Sequence, residues 1–206
     1  MSELNPFLIT ILAVAVGYGL GSLPFGLILT RLFTNMDIRN IGSGNIGATN
    51  VLRTGRKELA LLTLLLDGGK GGIAVLIMSS LANTNIGAIA GFVAVSGHCF
   101  PIWLRFRGGK GVATAIATIF AIDLLTGLVM VAGWLAVAAL FRISSIAAFG
   151  SFFCATIFGY FYASLTDIEM VVVFLISALS IARHHENIRR LIAGSEARIS
   201  FNKKES

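Results

Sequence analysis

The chain has 206 residues, of which 56% are hydrophobic and only 13% are charged, with a formal net charge of +6. Because soluble domains carry about 25% charged residues, this composition excludes an ordinary soluble domain and predicts one polytopic, all-α membrane domain spanning residues 1–206. The two cysteines, Cys99 and Cys154, both lie in apolar runs. They are predicted to be small buried hydrophobes, which excludes a disulfide scaffold.

Seven apolar segments are predicted to be transmembrane helices, because crossing the hydrocarbon layer takes about 20 apolar residues. The predicted spans are Pro6–Phe33, Leu59–Ala82, Ile86–Trp103, Val112–Ile122, Leu124–Phe141, Ile146–Leu165 and Met170–Ala182. Val112–Ile122 is short for a span and is predicted to be tilted or half-inserted. Pro24 lacks a backbone donor and predicts a kink near the inner end of the first helix.

Two charged residues lie inside the second predicted span. Asp67 and Lys70 are three residues apart, which places them on one face of a helix. Charges inside a span pair with each other or line a polar cavity. The sequence leaves both interpretations open, an internal ion pair and the wall of a site.

The distribution of charge predicts the orientation, because basic short loops face the cytoplasm. Seven spans place Ile38–Arg53, Arg105–Lys110, Arg142 and the C-terminal tail on that side, and Lys70 is then the one cation elsewhere. The acidic residues that fall outside are Glu3, Asp123, Asp167 and Glu169. Reading Val112–Phe141 as one span would put the basic tail outside, so the charge rule selects seven.

The polar stretch Ile38–Arg53, which we call the cradle, reads I-R-N-I-G-S-G-N-I-G-A-T-N-V-L-R. Three glycines, Gly42, Gly44 and Gly47, allow positive φ and leave backbone N–H groups open to a ligand. The polar side chains beside them are Ser43, Asn45, Thr49, Asn50 and Arg53. Bare N–H groups next to hydroxyls and a fixed cation are typical of a phosphate site.

The cradle also contains the pattern G-x-G-x-x-G at Gly42–Gly47. A dinucleotide-binding fingerprint requires a strand before it and a βαβ unit around it. Here an apolar run of membrane length precedes the pattern, so we do not interpret it as a dinucleotide site. A plain turn between two helices is the other alternative, but it would not need Arg53 and so many donors.

Two further polar stretches are predicted on the same side. Arg105–Gly111 reads R-F-R-G-G-K-G and lacks the P-loop pattern, but its three cations and three glycines predict a second anion-binding loop. The same Gly-Gly-Lys-Gly occurs at 68–71 with different flanks, which we interpret as coincidence. The tail begins R-H-H-E-N-I-R-R.

These stretches add several candidates for chemistry: His98, Lys110, His184, His185 and Asn187. His98 and Cys99 are adjacent, and adjacent side chains rarely point the same way, so a Cys–His nucleophile is not predicted. The spacing of Cys and His does not match a zinc site, and the sequence has no cluster of carboxylates of the kind that binds magnesium. Neither metal is therefore predicted.

The three stretches together resemble the bacterial glycerol-3-phosphate acyltransferases that use acyl phosphate, the PlsY family. The motifs that carry the resemblance are G-S-G-N-I-G-A-T-N-V-L-R, G-H-C-F-P-I-W-L-R-F-R-G-G-K-G-V-A-T and R-H-H-E-N-I-R-R, with D-G-G-K-G of the second span. The resemblance covers nearly the whole chain in order. One departure is Ile46, where the family usually has proline; we expect it to loosen the cradle without removing a ligand group.

The resemblance implies an all-α integral membrane enzyme with seven transmembrane helices and three cytoplasmic motif loops. It would transfer a fatty acyl group from acyl phosphate to the 1-hydroxyl of sn-glycerol 3-phosphate, giving lysophosphatidic acid and phosphate in the first acylation step of phospholipid synthesis. Its location would be the bacterial plasma (inner) membrane, with active site and C-terminus cytoplasmic. The expected partners are both substrates, the bilayer and, as a further candidate, the enzyme supplying acyl phosphate; no cofactor, metal or nucleic acid is expected.

The resemblance also assigns roles to residues by motif position. The residues expected to hold phosphate are Ser43, Gly44, Asn45, Thr49, Arg53, Gly109 and Lys110, and those expected to hold glycerol phosphate are His184 and Asn187. Ser43, His98 and Lys110 are the expected catalytic residues, with His98 at the reacting end.

The expected mechanism needs no enzyme nucleophile, because acyl phosphate is already activated. The glycerol hydroxyl would attack directly, the departing phosphate or His98 would take its proton, and the cradle and Lys110 would stabilise the leaving group. None of the three histidines begins the H-x-x-x-x-D motif of other glycerolipid acyltransferases. The rival interpretation is a transporter or channel for a small anion, although such a protein usually places its polar site between structural repeats.

Overall fold

The computed structural model describes residues 5–199, and within that range the chain forms helices and loops without a strand. The α-helices are α1 Pro6–Gly21, α2 Phe25–Thr34, α3 Ala48–Val51, α4 Lys57–Leu81, α5 Thr84–Cys99, α6 Val112–Ile122, α7 Leu124–Phe141, α8 Ser144–Phe161, α9 Asp167–Ala182 and α10 His185–Ile192. The predicted all-α fold is confirmed. Glu3, predicted outside, and the tail cations Lys203 and Lys204, predicted inside, lie beyond the described residues.

Five helical segments in the described chain are long and apolar enough to cross a bilayer. They are Pro6–Thr34, Lys57–Leu81, Thr84–Leu104, Leu124–Phe141 and Ser144–Phe161. A sixth arises if α9 and α10, which meet at 54°, count as one broken span. These segments define an integral membrane protein, whereas the predicted total of seven crossings depends on α6.

The predicted kink at Pro24 is confirmed as a break between α1 and α2. The two helices are separated at residues 22–24, and Pro24 directly precedes α2. Two carbonyls released by the break gain side-chain donors: Ser22 accepts from Trp103 Nε1 at 2.7 Å, and Leu23 accepts from Lys70 Nζ at 2.7 Å. The break is therefore stabilised by residues from two other parts of the chain.

Small residues let the helices of the bundle approach closely. A Cβ built on Gly17 or Gly21 of α1 would lie 2.4 Å from the Ala90 carbonyl oxygen or 2.1 Å from that of Ala94 on α5. The contacts advance in the same order along both helices, so α1 and α5 run parallel. Gly17 and Gly21 thus form a small-xxx-small face of the kind that lets membrane helices pack closely.

Helix α6 follows α4 in the same manner. Gly68 of α4 faces Ala113 of α6, and Gly72 faces Ala117. Phe120 of α6 contacts Gly127 of α7, so the chain reverses direction at Asp123, whose side chain caps α7. Along the bundle the chain makes passes of alternating direction, of which α6 is the short one.

Helix α6 has 11 residues and a length of about 16 Å, against about 30 Å for the hydrocarbon layer. It begins level with Asp67, because Thr114 Oγ1 donates to the Asp67 carbonyl at 2.7 Å, and it packs along the second half of α4. The number of full crossings remains a prediction. The position of α6 explains why a short apolar segment suffices here: it starts at a polar site within the bundle and not at the membrane surface.

Seven crossings, if present as predicted, would place the α4–α5 turn and the C-terminal segment on opposite sides of the membrane. We expect a cysteine at exposed Thr84 to react with an impermeant maleimide only from outside, and one at exposed Ser195 only from the cytoplasmic side. The background would carry Cys99→Ala and Cys154→Ala, and labelling would be measured on right-side-out and inverted vesicles. Labelling of both positions from the same side would contradict seven crossings.

Candidate active site

Asn50 is the residue around which the cradle folds. Its side chain is 1% exposed, and its Nδ2 donates to three carbonyls of the loop. These belong to Ile38 at 3.1 Å, Ile41 at 2.9 Å and Asn45 at 2.9 Å. Its Oδ1 accepts from the Ser43 N–H at 3.1 Å and from Arg53 Nη1 at 3.3 Å. One buried amide thus satisfies polar groups of a loop that has little regular structure of its own.

The glycines of the cradle do not all behave as predicted. Gly42 and Gly44 have φ of +53° and +70°, and a Cβ on Gly42 would lie 2.6 Å from Asn50 Oδ1. Gly47 has an ordinary φ of −82°, which corrects the expectation of positive φ there. The N–H of Gly44 donates to the Ile41 carbonyl at 2.9 Å. The expectation that Gly44 offers its N–H to phosphate is therefore corrected, because that group is used within the loop.

Side chains are the open polar groups of the cradle. Thr49 and Arg53 are exposed, while Ser43 and Asn45 are half-buried. The Ser43 N–H is engaged with Asn50, so Ser43 would act on a ligand through its hydroxyl. The predicted set is brought together on one loop, although fewer backbone donors are open than the sequence suggested.

Ile46 anchors the cradle to the bundle instead of loosening it. Its side chain is 2% exposed and belongs to a buried cluster with Leu27 of α2 and Leu59 of α4. The Ile46 carbonyl also lies against Gly26, where any Cβ would collide with it. Burial of such a side chain is worth about 1.5–3 kcal/mol, so Ile46 stabilises the cradle against the bundle.

Asp67, Lys70 and His98 form a buried polar cluster about 15 Å along α4 from its first residue. Lys70 Nζ lies 3.0 Å from Asp67 Oδ1 and 2.9 Å from His98 Nδ1, and all three side chains are at most 5% exposed. With the Leu23 carbonyl, these atoms supply three acceptors for the three protons of the ammonium. Of the two interpretations left open by the sequence, the internal ion pair is the one present.

The loop Gly108–Gly111, which we call the glycine loop, is closed by hydrogen bonds within the protein. The N–H groups of Gly108 and Gly109 donate to the carbonyls of Cys99 and His98 at 3.1 and 3.0 Å. Arg183 donates back, from Nη2 to the Gly108 carbonyl and from Nε to the Gly109 carbonyl, both at 3.2 Å. This corrects the expectation that Gly109 binds phosphate, because both polar groups of its backbone already have partners.

His98 is enclosed on both ring nitrogens. Nδ1 contacts Lys70, and a Cβ built on Gly109 would lie 2.1 Å from Nε2, so the Gly109 Cα covers that atom. The structure therefore corrects the expectation that His98 presents a free nitrogen at the reacting end. His98 lies beside the glycine loop as part of its support.

Lys110 is where charges from all three motif stretches meet. The pKa of Lys110 is lowered to about 8, mainly by burial and also by the nearby cations Arg190 and Arg53. The carboxylates of Glu196 and Glu186 act in the opposite direction. A half-buried ammonium with two cations nearby is a favourable site for a phosphate, because the anion relieves their mutual repulsion.

The tail contributes His184 and Asn187, whose role in holding glycerol phosphate stays a prediction. His184 is buried and its Nδ1 donates to the Ser180 carbonyl at 2.7 Å, which leaves Nε2 as the free nitrogen of the neutral ring. Asn187 donates through Nδ2 to Glu196 Oε1, and its buried Oδ1 has no partner among the described residues. Asn187 thus presents an acceptor suited to a hydroxyl. His185, by contrast, is exposed and points away on the surface of α10.

Sequence reasoning missed four residues that build this site: Asn50 as an organiser, Arg183, Arg190 and Glu196. Glu196 accepts from Ser145 Oγ at 2.9 Å and from Arg190 Nε at 2.7 Å, which ties the C-terminal segment to the start of α8. A signal existed only for the arginines, since cations beside a predicted anion site are natural candidates. The partners of Glu196 lie up to 51 residues away in sequence, so no local pattern could reveal it.

The chain is similar to known proteins over nearly its whole length. The model of a family described as glycerol-3-phosphate acyltransferase matches residues 11–194. A glycerol-3-phosphate acyltransferase of Rhodospirillum rubrum is 50% identical, over 99% of this chain and 97% of the relative. That of Maricaulis maris is 49% identical, over 98% of this chain and 93% of the relative.

Two solved structures of PlsY, an integral membrane glycerol 3-phosphate acyltransferase, share the fold. The glycerol 3-phosphate form aligns with a TM-score of 0.87 at 36% identity, and the lysophosphatidic acid form with 0.85 at 34%. Each alignment covers 93% of this chain and 96% of the solved chain.

Fold and site together define an integral membrane acyltransferase that acts in phospholipid synthesis. The chain belongs to the glycerol-3-phosphate acyltransferase family, as the sequence resemblance indicated. Its activity is the acylation of glycerol 3-phosphate, and the anion transporter that the sequence left as an alternative is not supported.

The central position of Asn50 can be tested by an isosteric change. Asn50→Asp keeps Oδ1 but replaces the donating Nδ2 by an acceptor facing carbonyl oxygens, a loss of about 1–3 kcal/mol. We expect catalytic efficiency to fall at least about tenfold, with a lower thermal midpoint. Asn40→Asp, at an exposed position of the same loop, adds the same charge and should change neither. Native activity in Asn50→Asp would contradict this account of the cradle.

The pKa of Lys110 predicts a pH profile. Lys110 is mainly a cation below about pH 8 and mainly neutral above it, whereas phosphate esters lose their second proton at about pH 6. We therefore expect kcat/KM for glycerol 3-phosphate to fall as pH rises through about 8, and Lys110→Arg to move that decline above pH 10. A Lys110→Arg profile identical to the native one would exclude Lys110 as the titrating group.

Proposed function

We propose that this chain transfers a fatty acyl group from acyl phosphate to the 1-hydroxyl of sn-glycerol 3-phosphate. The products are lysophosphatidic acid and inorganic phosphate. The observation that carries the proposal is the position of Arg53 and Arg190, from two other motif stretches, near enough to the half-buried ammonium of Lys110 to lower its pKa. Both substrates are anionic, and a cluster of cations suits two phosphate groups that must approach each other.

The acceptor substrate is supported by the relatives as well as by the site. PlsY was solved in glycerol 3-phosphate and lysophosphatidic acid forms, which are the acceptor and product proposed here. In this chain the free Asn187 Oδ1 would accept a hydrogen bond from a glycerol hydroxyl. Lys110 would bind the phosphate of the same molecule or that of the donor.

The donor follows from where charge develops in the reaction. When acyl phosphate is the donor, the leaving group is phosphate, and negative charge grows on its oxygens. The exposed cation and hydroxyls of the cradle and the ammonium of Lys110 would stabilise that charge. When acyl-CoA or acyl carrier protein is the donor, the leaving group is a thiolate, which such groups would stabilise little. The sequence also offers no βαβ unit with an acidic ribose ligand for the adenosine part of CoA.

The reaction needs no covalent enzyme intermediate. Cys99 is fully buried, and burial within the bundle keeps its sulfur away from solvent. The glycerol 1-oxygen would form the new ester bond to the acyl carbon while the bond from that carbon to the phosphate oxygen breaks. The hydroxyl proton would pass to the departing phosphate, because the ring nitrogens of His98 are enclosed.

The proposed location is the bacterial inner membrane, with the cradle, the glycine loop and α10 facing the cytoplasm. The excess of basic residues in these stretches supports that orientation. Glycerol 3-phosphate would arrive from water, while the acyl chain of the donor would lie in the bilayer. The enzyme that makes acyl phosphate remains a candidate partner, since its product must reach this same face.

The donor assignment is tested by supplying acyl phosphate, acyl-CoA and acyl carrier protein separately to pure protein with labelled glycerol 3-phosphate. We expect lysophosphatidic acid from acyl phosphate alone. Arg53→Ala and Lys110→Ala should each lower catalytic efficiency by about ten- to a hundredfold, since a charge-assisted contact contributes about 1.5–3 kcal/mol. Equal product from acyl-CoA, free of acyl phosphate, would overturn the assignment.

The control for the mechanism is Cys99→Ala. Because the thiol takes no part in direct attack, this variant should retain nearly native turnover. A folded Cys99→Ala protein without turnover would contradict the absence of an enzyme nucleophile.

A further inference from the structure

We propose that His98 and Arg183 are positioning residues that clamp the glycine loop and so place Lys110 against its phosphate. In this view the glycines are required because protein atoms fill the space beside them, and their peptide groups do not bind the substrate. The inference rests on the proposed function only in taking Lys110 as a phosphate ligand.

The first support is the complete use of the polar groups of Gly108 and Gly109. Both N–H groups bond to carbonyls at the end of α5, and both carbonyls accept from the one guanidinium of Arg183. The planar fork of Arg183 presents two N–H groups in a fixed geometry to two neighbouring acceptors, a geometry that the compact ammonium of lysine does not fix. A phosphate would have to break these bonds to reach either N–H group.

The space beside Gly108 and Gly109 is filled by atoms at the end of α5, which is the second support for the clamp. Gly109 is buried, and a Cβ there would lie 2.1 Å from His98 Nε2 and 2.9 Å from Cδ2. A Cβ on Gly108 would lie 2.1 Å from the His98 carbonyl oxygen. Both glycines are therefore fixed by the end of α5. The φ of Gly109 is not positive, so space and not backbone conformation is what requires glycine at this position.

The third support is the rigidity of the groups that hold the clamp. His98 Nδ1 is fixed by Lys70, which is fixed in turn by Asp67 and the Leu23 carbonyl. Arg183 lies over the ring of Phe100 at 5.0 Å from its centroid. Both clamping side chains are thus held by a second set of contacts, which is what accurate placement of the next residue, Lys110, requires.

The sequence supplies a matched control. Gly69 occupies the same place in Gly-Gly-Lys-Gly as Gly109, but it lies in α4, and the nearest atom to its Cβ would be Ile73 Cδ1 at 4.0 Å. We expect Gly69→Ala to leave activity and thermal midpoint unchanged or slightly improved, because alanine favours the helix. Gly109→Ala should displace Lys110, and a misplacement near 1 Å can cost about a hundredfold in rate.

A double-mutant cycle separates the steric explanation from direct phosphate binding. Gly109→Ala is compared in the native and His98→Ala backgrounds, with the kcat and KM of both substrates and the thermal midpoint measured. We expect a loss of about ten- to a hundredfold in the native background and less than about threefold in His98→Ala, where the colliding ring is absent. Equal losses in both backgrounds would overturn the steric role of His98.

A second cycle does not depend on the folding of His98→Ala. We expect Arg183→Gln to lower kcat/KM about tenfold in the native protein but less than about twofold in Lys110→Ala, because Arg183 acts through Lys110. A loss of equal size in both would show that Arg183 does not act through Lys110 and would overturn its assignment.

The two failures are distinguishable. If the native protein made no lysophosphatidic acid from acyl phosphate, the proposed function would fail. The thermal midpoints of the His98 and Gly109 variants would still report whether the two residues are coupled. If the His98 and Gly109 substitutions were coupled in their effect on the thermal midpoint but additive in their effect on kcat and KM, the clamp would serve stability alone. That result would overturn the positioning role.

Discussion

The buried ion pair of Asp67 and Lys70 is the interaction on which the rest of the bundle depends. It joins the break between α1 and α2, through Leu23, to α4 and to His98 at the end of α5. The Asp67 carbonyl also accepts a hydrogen bond from Thr114, which ties the start of α6 to the same place. Removing one partner of such a pair typically costs about 3–5 kcal/mol, because the other charge is left buried and alone. The pair therefore fixes where four segments meet, and the glycine loop starts from that point.

An enzyme that handles phosphates beside a bilayer must gather cations without leaving them uncompensated. Here the described structure does so by distributing partners: Asn50 holds Arg53, Glu196 holds Arg190, and carbonyls hold Arg183. Lys110 has no such fixed partner among the described residues, and burial together with the nearby cations Arg190 and Arg53 lowers its pKa to about 8. The site thus keeps one cation whose electrostatic cost a substrate phosphate can relieve, while the other cations are held in place by the protein.

Much of this could be predicted from the sequence, because the deciding signals were local. Apolar length identified most spans, Pro24 identified the break, and the polar stretches identified the anion-binding end. Long-range contacts were not predictable. Neither the enclosure of His98 by Gly109 nor the burial of Ile46 has a local signature, since each depends on how separate segments pack. The seven-crossing topology rests on charge distribution and on α6, whose 11 residues alone could not decide it.

The two copies of Gly-Gly-Lys-Gly show that the same four residues have different roles in different surroundings. At 68–71 the tetrapeptide lies inside α4, where Gly68 and Gly71 make room for α6 and the lysine is buried in an ion pair. At 108–111 the same letters follow Pro101 and a turn with left-handed Arg105 and Phe106, so the chain leaves the helix and the backbone needs other partners. In each copy two of the glycines make room for neighbouring protein atoms, and the lysine supplies charge. What differs is whether the lysine's partner is a fixed carboxylate, as for Lys70, or the proposed phosphate of a substrate, as for Lys110.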